Sequence, residues 1–262
     1  MLCEIAIKDA LESKINIIDV RSPKEFLQGH ITGAVNIPLF TDDERAHVGT
    51  VYKQKSKQMA IDLAYKYVKP KLDWYIFESK QVAIDGTVII HCWRGGMRSE
   101  SFANHLIMNG FNNVYRITGG YKSYRQHVLD SYKRRYTLNV LGGYTGSGKT
   151  HILNELANLK HQIIDLEMLA HHMGSAFGAI GKGKQPTTEQ FENDLFSEIN
   201  KLDINKPIWV EDESHSIGSV TIPISFFKQM RESKLFFIEV PKNERIKLLV
   251  DEYAHYDKGK LA

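Results

Sequence analysis

Thr137-Leu138-Asn139-Val140-Leu141-Gly142-Gly143-Tyr144-Thr145-Gly146-Ser147-Gly148-Lys149-Thr150 (TLNVLGGYTGSGKT) decides the fold of the second half of this chain. Residues 137–142 are an apolar run of strand length. Gly143 to Thr150 then fit the phosphate-loop pattern G-x-x-x-x-G-K-[ST], followed at once by a helical pattern that starts near Lys149. In that context the backbone amides of Gly143, Thr145, Gly146, Ser147 and Gly148 can cradle a di- or triphosphate. Lys149 can neutralise it, and Thr150 can ligate Mg2+. A second acidic partner is expected at the end of a neighbouring strand. The apolar run 207–210 leads into Glu211-Asp212-Glu213, so Glu211 or Asp212 can hold a metal directly or through water.

Further strands are expected at 161–166 and 235–240, with a helix at 188–201. The first half reads the same way, with strands at 16–20, 87–91 and 113–117, an extended piece at 35–38, and helices opening at Ser22-Pro23 and near Ser99. The long polar stretch 41–86 is expected to hold one amphipathic helix, on the spacing of Met59, Ala60, Leu63, Ala64, Tyr67 and Val68. Alternating strands and helices imply α/β architecture with mainly parallel sheets in both halves. The boundary is placed near 132–137, giving domains 1–134 and 135–262.

His91-Cys92-Trp93-Arg94-Gly95-Gly96-Met97-Arg98-Ser99 joins a predicted strand to a predicted helix. Inward backbone amides, the helix dipole and the charges of Arg94 and Arg98 all favour thiolate at Cys92. The same groups can hold an oxyanion bonded to, or attacking, the sulfur. Cysteine phosphatases and rhodanese-type sulfur carriers both use such a loop. The upstream strings Asp19-Val20-Arg21-Ser22-Pro23, Glu25-Phe26, Gly29-His30-Ile31, Gly33-Ala34 and Asn36-Ile37-Pro38 resemble the rhodanese signature, and the phosphatase reading stays open beside it. Asp19, Arg21 and His30 are expected to serve the scaffold.

The chain has 262 residues, a net charge of +3 and two cysteines, Cys3 and Cys92. Two cysteines exclude a disulfide framework or a four-Cys zinc site. No apolar run reaches the ~20 residues of a membrane span, and the first ten residues lack a signal-peptide core, so a cytoplasmic protein without a membrane partner is expected. Residues 1–136 hold 20 Lys and Arg against 14 Asp and Glu, and the remainder holds 14 against 17. The basic first half permits contact with a polyanion.

A thiol loop followed by a phosphate loop is an unusual pairing. Several strings accompany it: Gly119-Gly120-Tyr121-Lys122, Asp165-Leu166-Glu167, Gly174-Ser175-Ala176-Phe177-Gly178, Gln185-Pro186-Thr187, Phe191-Glu192-Asn193 and Glu211-Asp212-Glu213-Ser214. Together they resemble the bacterial tRNA 2-selenouridine synthase family, in which a rhodanese-like domain precedes a P-loop NTPase-like domain. The resemblance implies a tRNA-modifying transferase. It would convert wobble 2-thiouridine into 2-selenouridine through an S-geranylated intermediate, with geranyl diphosphate and selenophosphate as substrates and no tightly bound cofactor. Cys92 would take part in selenium delivery, with Arg94 and Arg98 holding the phosphate, while Lys149 and Thr150 would stabilise the leaving diphosphate of the prenyl donor. Lys53, Lys55, Lys57, Lys66, Lys69 and Lys71, with Lys133, Arg134 and Arg135, are candidate tRNA contacts. The family carries a further C-terminal helical segment beyond the residues read here, Tyr in place of His91 and Arg in place of His215. The competing expectation is an ATP- or GTP-dependent sulfurtransferase, or a rhodanese protein regulated by a nucleotide.

Overall fold

A computed structural model describes residues 2–173 and 183–253. The chain forms two compact units, Met1–His127 and Val128–Ala262, against the 134/135 division expected from the sequence.

The first unit contains β1 (Leu2–Ile5), α1 (Ile7–Glu12), β2 (Ile17–Asp19), α2 (Pro23–Gln28), β3 (Val35–Asn36), α3 (Asp42–Gln54), α4 (Lys57–Val68), a 3-10 turn (Lys69–Lys71), α5 (Leu72–Val82), β4 (Thr87–His91), α6 (Met97–Met108) and β5 (Asn113–Ile117). Helix α7 (Gly120–Ser131) follows. The strands form one parallel sheet in the order β1-β5-β4-β2-β3. Central strands β2 and β4 are buried almost throughout. That fits a parallel sheet covered on both faces and explains their unbroken apolar runs. Ile18, Val20, Val88, Ile90, Phe102 and Leu106 form the middle of the core.

The stretch 41–86 departs from expectation, because it holds three α-helices rather than one. Helix α3 starts at a capping box in which the Thr41 hydroxyl accepts from the Glu44 amide and Glu44 accepts from the Thr41 amide. It buries only Val51 among its thirteen residues, so it has no apolar stripe to betray it. Strand β1 and helix α1 are likewise additions to the sequence reading.

The second unit contains β6 (Leu138–Gly143), α8 (Lys149–Asn158), β7 (Gln162–Ile164), α9 (Leu166–Leu169), α10 (Thr188–Ile199), β8 (Ile208–Glu211), a hairpin of β9 (Ser216–Ile217) and β10 (Val220–Thr221), α11 (Ile224–Glu232), β11 (Lys234–Ile238) and α12 (Lys242–Tyr253). Its main sheet is parallel in the order β11-β6-β8-β7. Strand β6 is thus interior, and the loop after it sits above the carboxyl ends of the strands, where open α/β sheets bind ligands. Both units therefore have the parallel α/β architecture expected. No helix among the described residues is long and apolar enough to cross a membrane.

Candidate functional site

Two loops carry the chemistry, one in each unit. In the first, β4 ends at His91 and α6 starts after Gly96, so Cys92 lies between a strand end and a helix N-terminus. Its side chain is buried, with Sγ 3.3 Å from the Ser99 hydroxyl. That hydroxyl also lies 3.0 Å from the Gly96 carbonyl, and turning its one proton to the sulfur lets it serve the thiolate. The loop is tied to the β5–α7 junction by Tyr121 N–H donating to Cys92 O and Lys122 N–H donating to Trp93 O, both at 2.9 Å. Gly120 makes this approach possible. It has φ +60°, and a Cβ there would lie 2.3 Å from Cys92 O and 2.5 Å from Gly95 N.

Burial alone would push the Cys92 thiol up. The Ser99 hydroxyl, the Arg98 charge and the amides of Ser99 and Arg94 outweigh it and hold the thiol below its ordinary value. Arg98 is not free, since its Nη1 lies 2.7 Å from Glu25 Oε2. Arg45 on α3 approaches the same oxygen at 3.6 Å. Glu25 also accepts from the Ser22 amide, closing a capping box at the start of α2. The Arg94 side chain is exposed, as are Trp93 and Met97. Cys3 is an exposed thiol on β1.

Asp19, Arg21 and His30 serve the scaffold. Arg21 and Asp19 form a fully buried ion pair at 2.6 Å, and Arg21 also donates to Gly29 O at 2.7 Å. The Arg21 guanidinium lies 3.7 Å over the Tyr121 ring. His91 lies fully buried beneath the loop, 3.7 Å from Asp19. Burial drives its pKa down, so it is neutral at pH 7. His30 Nδ1 pairs with Phe26 O at 3.0 Å, and its ring stacks on Phe26.

In the second loop, β6 ends at Gly143 and α8 begins at Lys149, with Gly148 as N-cap at φ +76°. Gly146 has φ +78°, and a Cβ there would meet Arg245 O at 2.7 Å. Arg245 on α12 also donates to Thr145 O at 3.2 Å and lies over the Tyr144 ring. Lys149 Nζ folds back to Gly143 O at 3.1 Å. Ser147 Oγ is buried and has no hydrogen-bond partner among the described residues. Orphaned hydroxyl and folded-back ammonium both suit an anion that would draw them inward.

Thr150 Oγ1 donates to Glu167 Oε2 at 3.4 Å. Glu211, at the end of β8, is fully buried. Its Oε2 accepts from the Leu166 amide at 2.9 Å while Oε1 has no partner among the described residues. Burial first, then the neighbouring Asp165, raises the Glu211 pKa well above the carboxylate range. Burial and the charges of Glu213 and Asp165, opposed by Lys149, push Glu167 up to about 7. Asp212 is ion-paired with Arg231 on α11. For Mg2+, Thr150 and Asp212 therefore already have protein partners. No three His, Cys, Asp or Glu side chains among the described residues are arranged to hold a metal ion.

Sequence reasoning did not find Glu25, Arg45 or Arg245 as neighbours of the two loops, nor Arg231 as the partner of Asp212. Only Glu25 had a local signal, the Ser22…Glu25 capping pattern. The remaining strings are largely structural. Gln185 clamps the β9–β10 hairpin through Ile217 O and the Ser219 amide. Thr187 caps α10, and Phe191 and Asn193 are buried. The string 174–178 lies outside the described residues.

Comparison with known proteins agrees with this division. Residues 6–127 match the model of the rhodanese-like domain, and residues 136–261 match that of the tRNA 2-selenouridine synthase AAA domain. The tRNA 2-selenouridine synthase of Nitrosomonas europaea is 39% identical over 249 residues, covering 90% of this chain and 63% of that protein. The one from Hydrogenovibrio crunogenus is 38% identical over 255 residues, covering 91% of this chain and 68% of its own. A solved N-terminal domain from Clostridium difficile 630 is 41% identical, covering 48% of this chain and 98% of that one, with a TM-score of 0.46. The chain spans a little under two thirds of the length of the Nitrosomonas relatives.

Proposed function

Since the chain belongs to the tRNA 2-selenouridine synthase family, we propose that it converts the wobble 2-thiouridine of tRNA into 2-selenouridine in two steps, one at each loop. In the first, the thiouridine sulfur attacks C1 of geranyl diphosphate. The S–C bond forms, the C–O bond breaks with its electron pair leaving on diphosphate, and the uridine N3 proton is released. Diphosphate carries the developing charge, so the phosphate loop with Lys149 acts where stabilisation lowers the barrier. In the second, the selenium of selenophosphate attacks C2, the C–Se bond forms, and the C–S bond breaks with its electron pair leaving on geranylthiolate, which takes the selenol proton. Water then cleaves the P–Se bond, releasing phosphate and leaving 2-selenouridine. The Cys92 loop suits selenophosphate, an oxyanion bearing a soft nucleophile. Cys92 takes part in the delivery, with Arg98 and the exposed Arg94 holding the phosphate. The reaction needs tRNA and small soluble donors, which assigns the protein to the cytoplasm.

The observation that carries this reading is the coexistence, in one chain, of a thiol held below its ordinary pKa in an amide-rich loop beside Arg98 and a complete phosphate loop with a buried hydroxyl unpartnered among the described residues. A titration with geranyl diphosphate, ATP and GTP tests the second loop. Binding of the prenyl diphosphate, abolished by Lys149→Ala, supports the proposal. Preferential binding of ATP or GTP with turnover would instead establish a nucleotide-driven sulfur carrier.

A further inference from the structure

The helical pair α3–α4 ends in an unusual tip. The eight consecutive residues 52–59 are all exposed, include Lys53, Lys55 and Lys57, and contain no Asp or Glu. None of the three lysines makes an ion pair among the described residues, whereas Lys71, at the base, is bound to Glu44 at 2.5 Å. The tip is nevertheless well formed. Val51 and Ala60 are buried on either side of it, and the Ser56 hydroxyl caps α4 by accepting from the Met59 amide. The His47 ring and the Tyr67 hydroxyl meet across the pair at 2.7 Å. Tyr52 and Tyr65 stay more than half exposed beside the lysines. Three ordered cations without counter-ions repel one another and are retained at a cost in stability that a bound polyanion would remove.

The start of α3 is tied to the thiol loop through Glu25. Arg45 near the start of α3 touches Glu25, which holds Arg98 of the Cys92 loop. From Arg45 to Lys53 the helix rises ~12 Å at ~1.5 Å per residue, a span of several nucleotides at ~3.4 Å each. We infer that the α3–α4 tip is an RNA-backbone contact, in which Lys53, Lys55 and Lys57 bind phosphates a few nucleotides from the base presented to Cys92. Lysine ammonium groups separated by short polar residues are phosphate ligands that position a nucleic acid without reading its sequence. The flanking tyrosines offer stacking faces to unpaired bases. The inference rests on the proposed tRNA substrate and adds where that substrate is held.

Salt titration of tRNA binding to the full chain tests it, with wild type compared to K53E/K55E/K57E and to the milder K53Q/K55Q/K57Q. All three side chains are exposed, and the rate of Cys92 alkylation serves as the check on folding. Both variants should alkylate as wild type does. Each should weaken tRNA binding by more than about tenfold and flatten the slope of log K against log salt by about 2, at ~0.7–0.9 for each phosphate no longer neutralised. A wild type that binds tRNA, with variants matching it in affinity and slope, overturns the inference alone. A wild type that retains no tRNA at low salt overturns the functional reading and this inference together. Lost affinity for phosphatidylserine vesicles with unchanged tRNA binding would assign the tip to a membrane surface instead and also overturn it.

Discussion

Arg98 and Glu25 form an ion pair at the mouth of the thiol loop, Nη1 to Oε2 at 2.7 Å. One of the two arginines expected to meet an anion is thus already held by a carboxylate from α2. Burial would raise the Glu25 pKa, but the hydrogen bond and charge of Arg98 hold it below the ordinary glutamate value. Glu25→Gln keeps the capping bond to the Ser22 amide and removes the charge. The Cys92 thiol should then ionise at lower pH, because Arg98 faces it uncompensated. Arg98→Met should shift the midpoint upward. The rate of Cys92 alkylation as a function of pH checks both.

Ser99 supplies the leading stabilisation of the Cys92 thiolate. Ser99→Ala should raise the alkylation midpoint and slow the reaction at pH 7 severalfold, with little change in stability. An unchanged midpoint would mean that Arg98 and the amides suffice.

The buried Asp19–Arg21 pair is predicted to be the most costly electrostatic contact to break. Burial opposes ionisation of Asp19, and the charge of His91 together with the hydrogen bonds and charge of Arg21 outweigh it and hold its pKa below the ordinary aspartate value. Arg21→Met should cost about 3–5 kcal/mol. The pH dependence should shrink as well. In wild type Asp19 has a depressed pKa, and its contribution is present above 3.8 and lost as pH falls through the lower folded value. In the variant the Arg21 share of that depression is gone, so less stability is lost on acidification. Urea unfolding at pH 3, 5 and 7 distinguishes the two.

At the phosphate loop, Glu167 is pushed up to about 7. Its contribution to stability is full below the ordinary glutamate value of 4.5 and is lost as pH rises through about 7. Wild type should therefore lose stability as pH rises from 4.5 to about 7 in metal-free buffer, and Glu167→Gln should flatten that decline. Lys149→Ala should steepen it, since Lys149 favours the charged form.

Gly120→Ala should uncouple the thiol loop from α7. The added Cβ would meet Cys92 O at 2.3 Å and force a left-handed backbone on alanine. A loss of at least about 1–2 kcal/mol, together with loss of the Cys92 thiolate, is expected in thermal melts and alkylation assays.

The sequence disclosed those parts of the molecule whose chemistry is local. A strand, a glycine-rich turn and a helix start can be read from neighbouring residues, so Cys92 and Lys149 sit where the spacing put them. Glu25 and Arg245 reach these loops through the tertiary fold, from 73 and 100 residues away, and no local period announces that. Helix α3 is illegible for a different reason. It buries one residue, Val51, and has no apolar stripe, so only the Thr41…Glu44 cap marks it. The same solvated surface carries the lysine tip.

The division of labour between the two loops is tested most directly by nucleoside mass spectrometry. Tested proteins are wild type, Cys92→Ser and Lys149→Ala, each incubated with 2-thiouridine tRNA, geranyl diphosphate and selenophosphate. Wild type should yield 2-selenouridine. Cys92→Ser should accumulate the S-geranylated nucleoside without selenouridine, and Lys149→Ala should leave 2-thiouridine unmodified. Full selenouridine formation by Cys92→Ser, or S-geranylation undiminished by Lys149→Ala, would contradict the account.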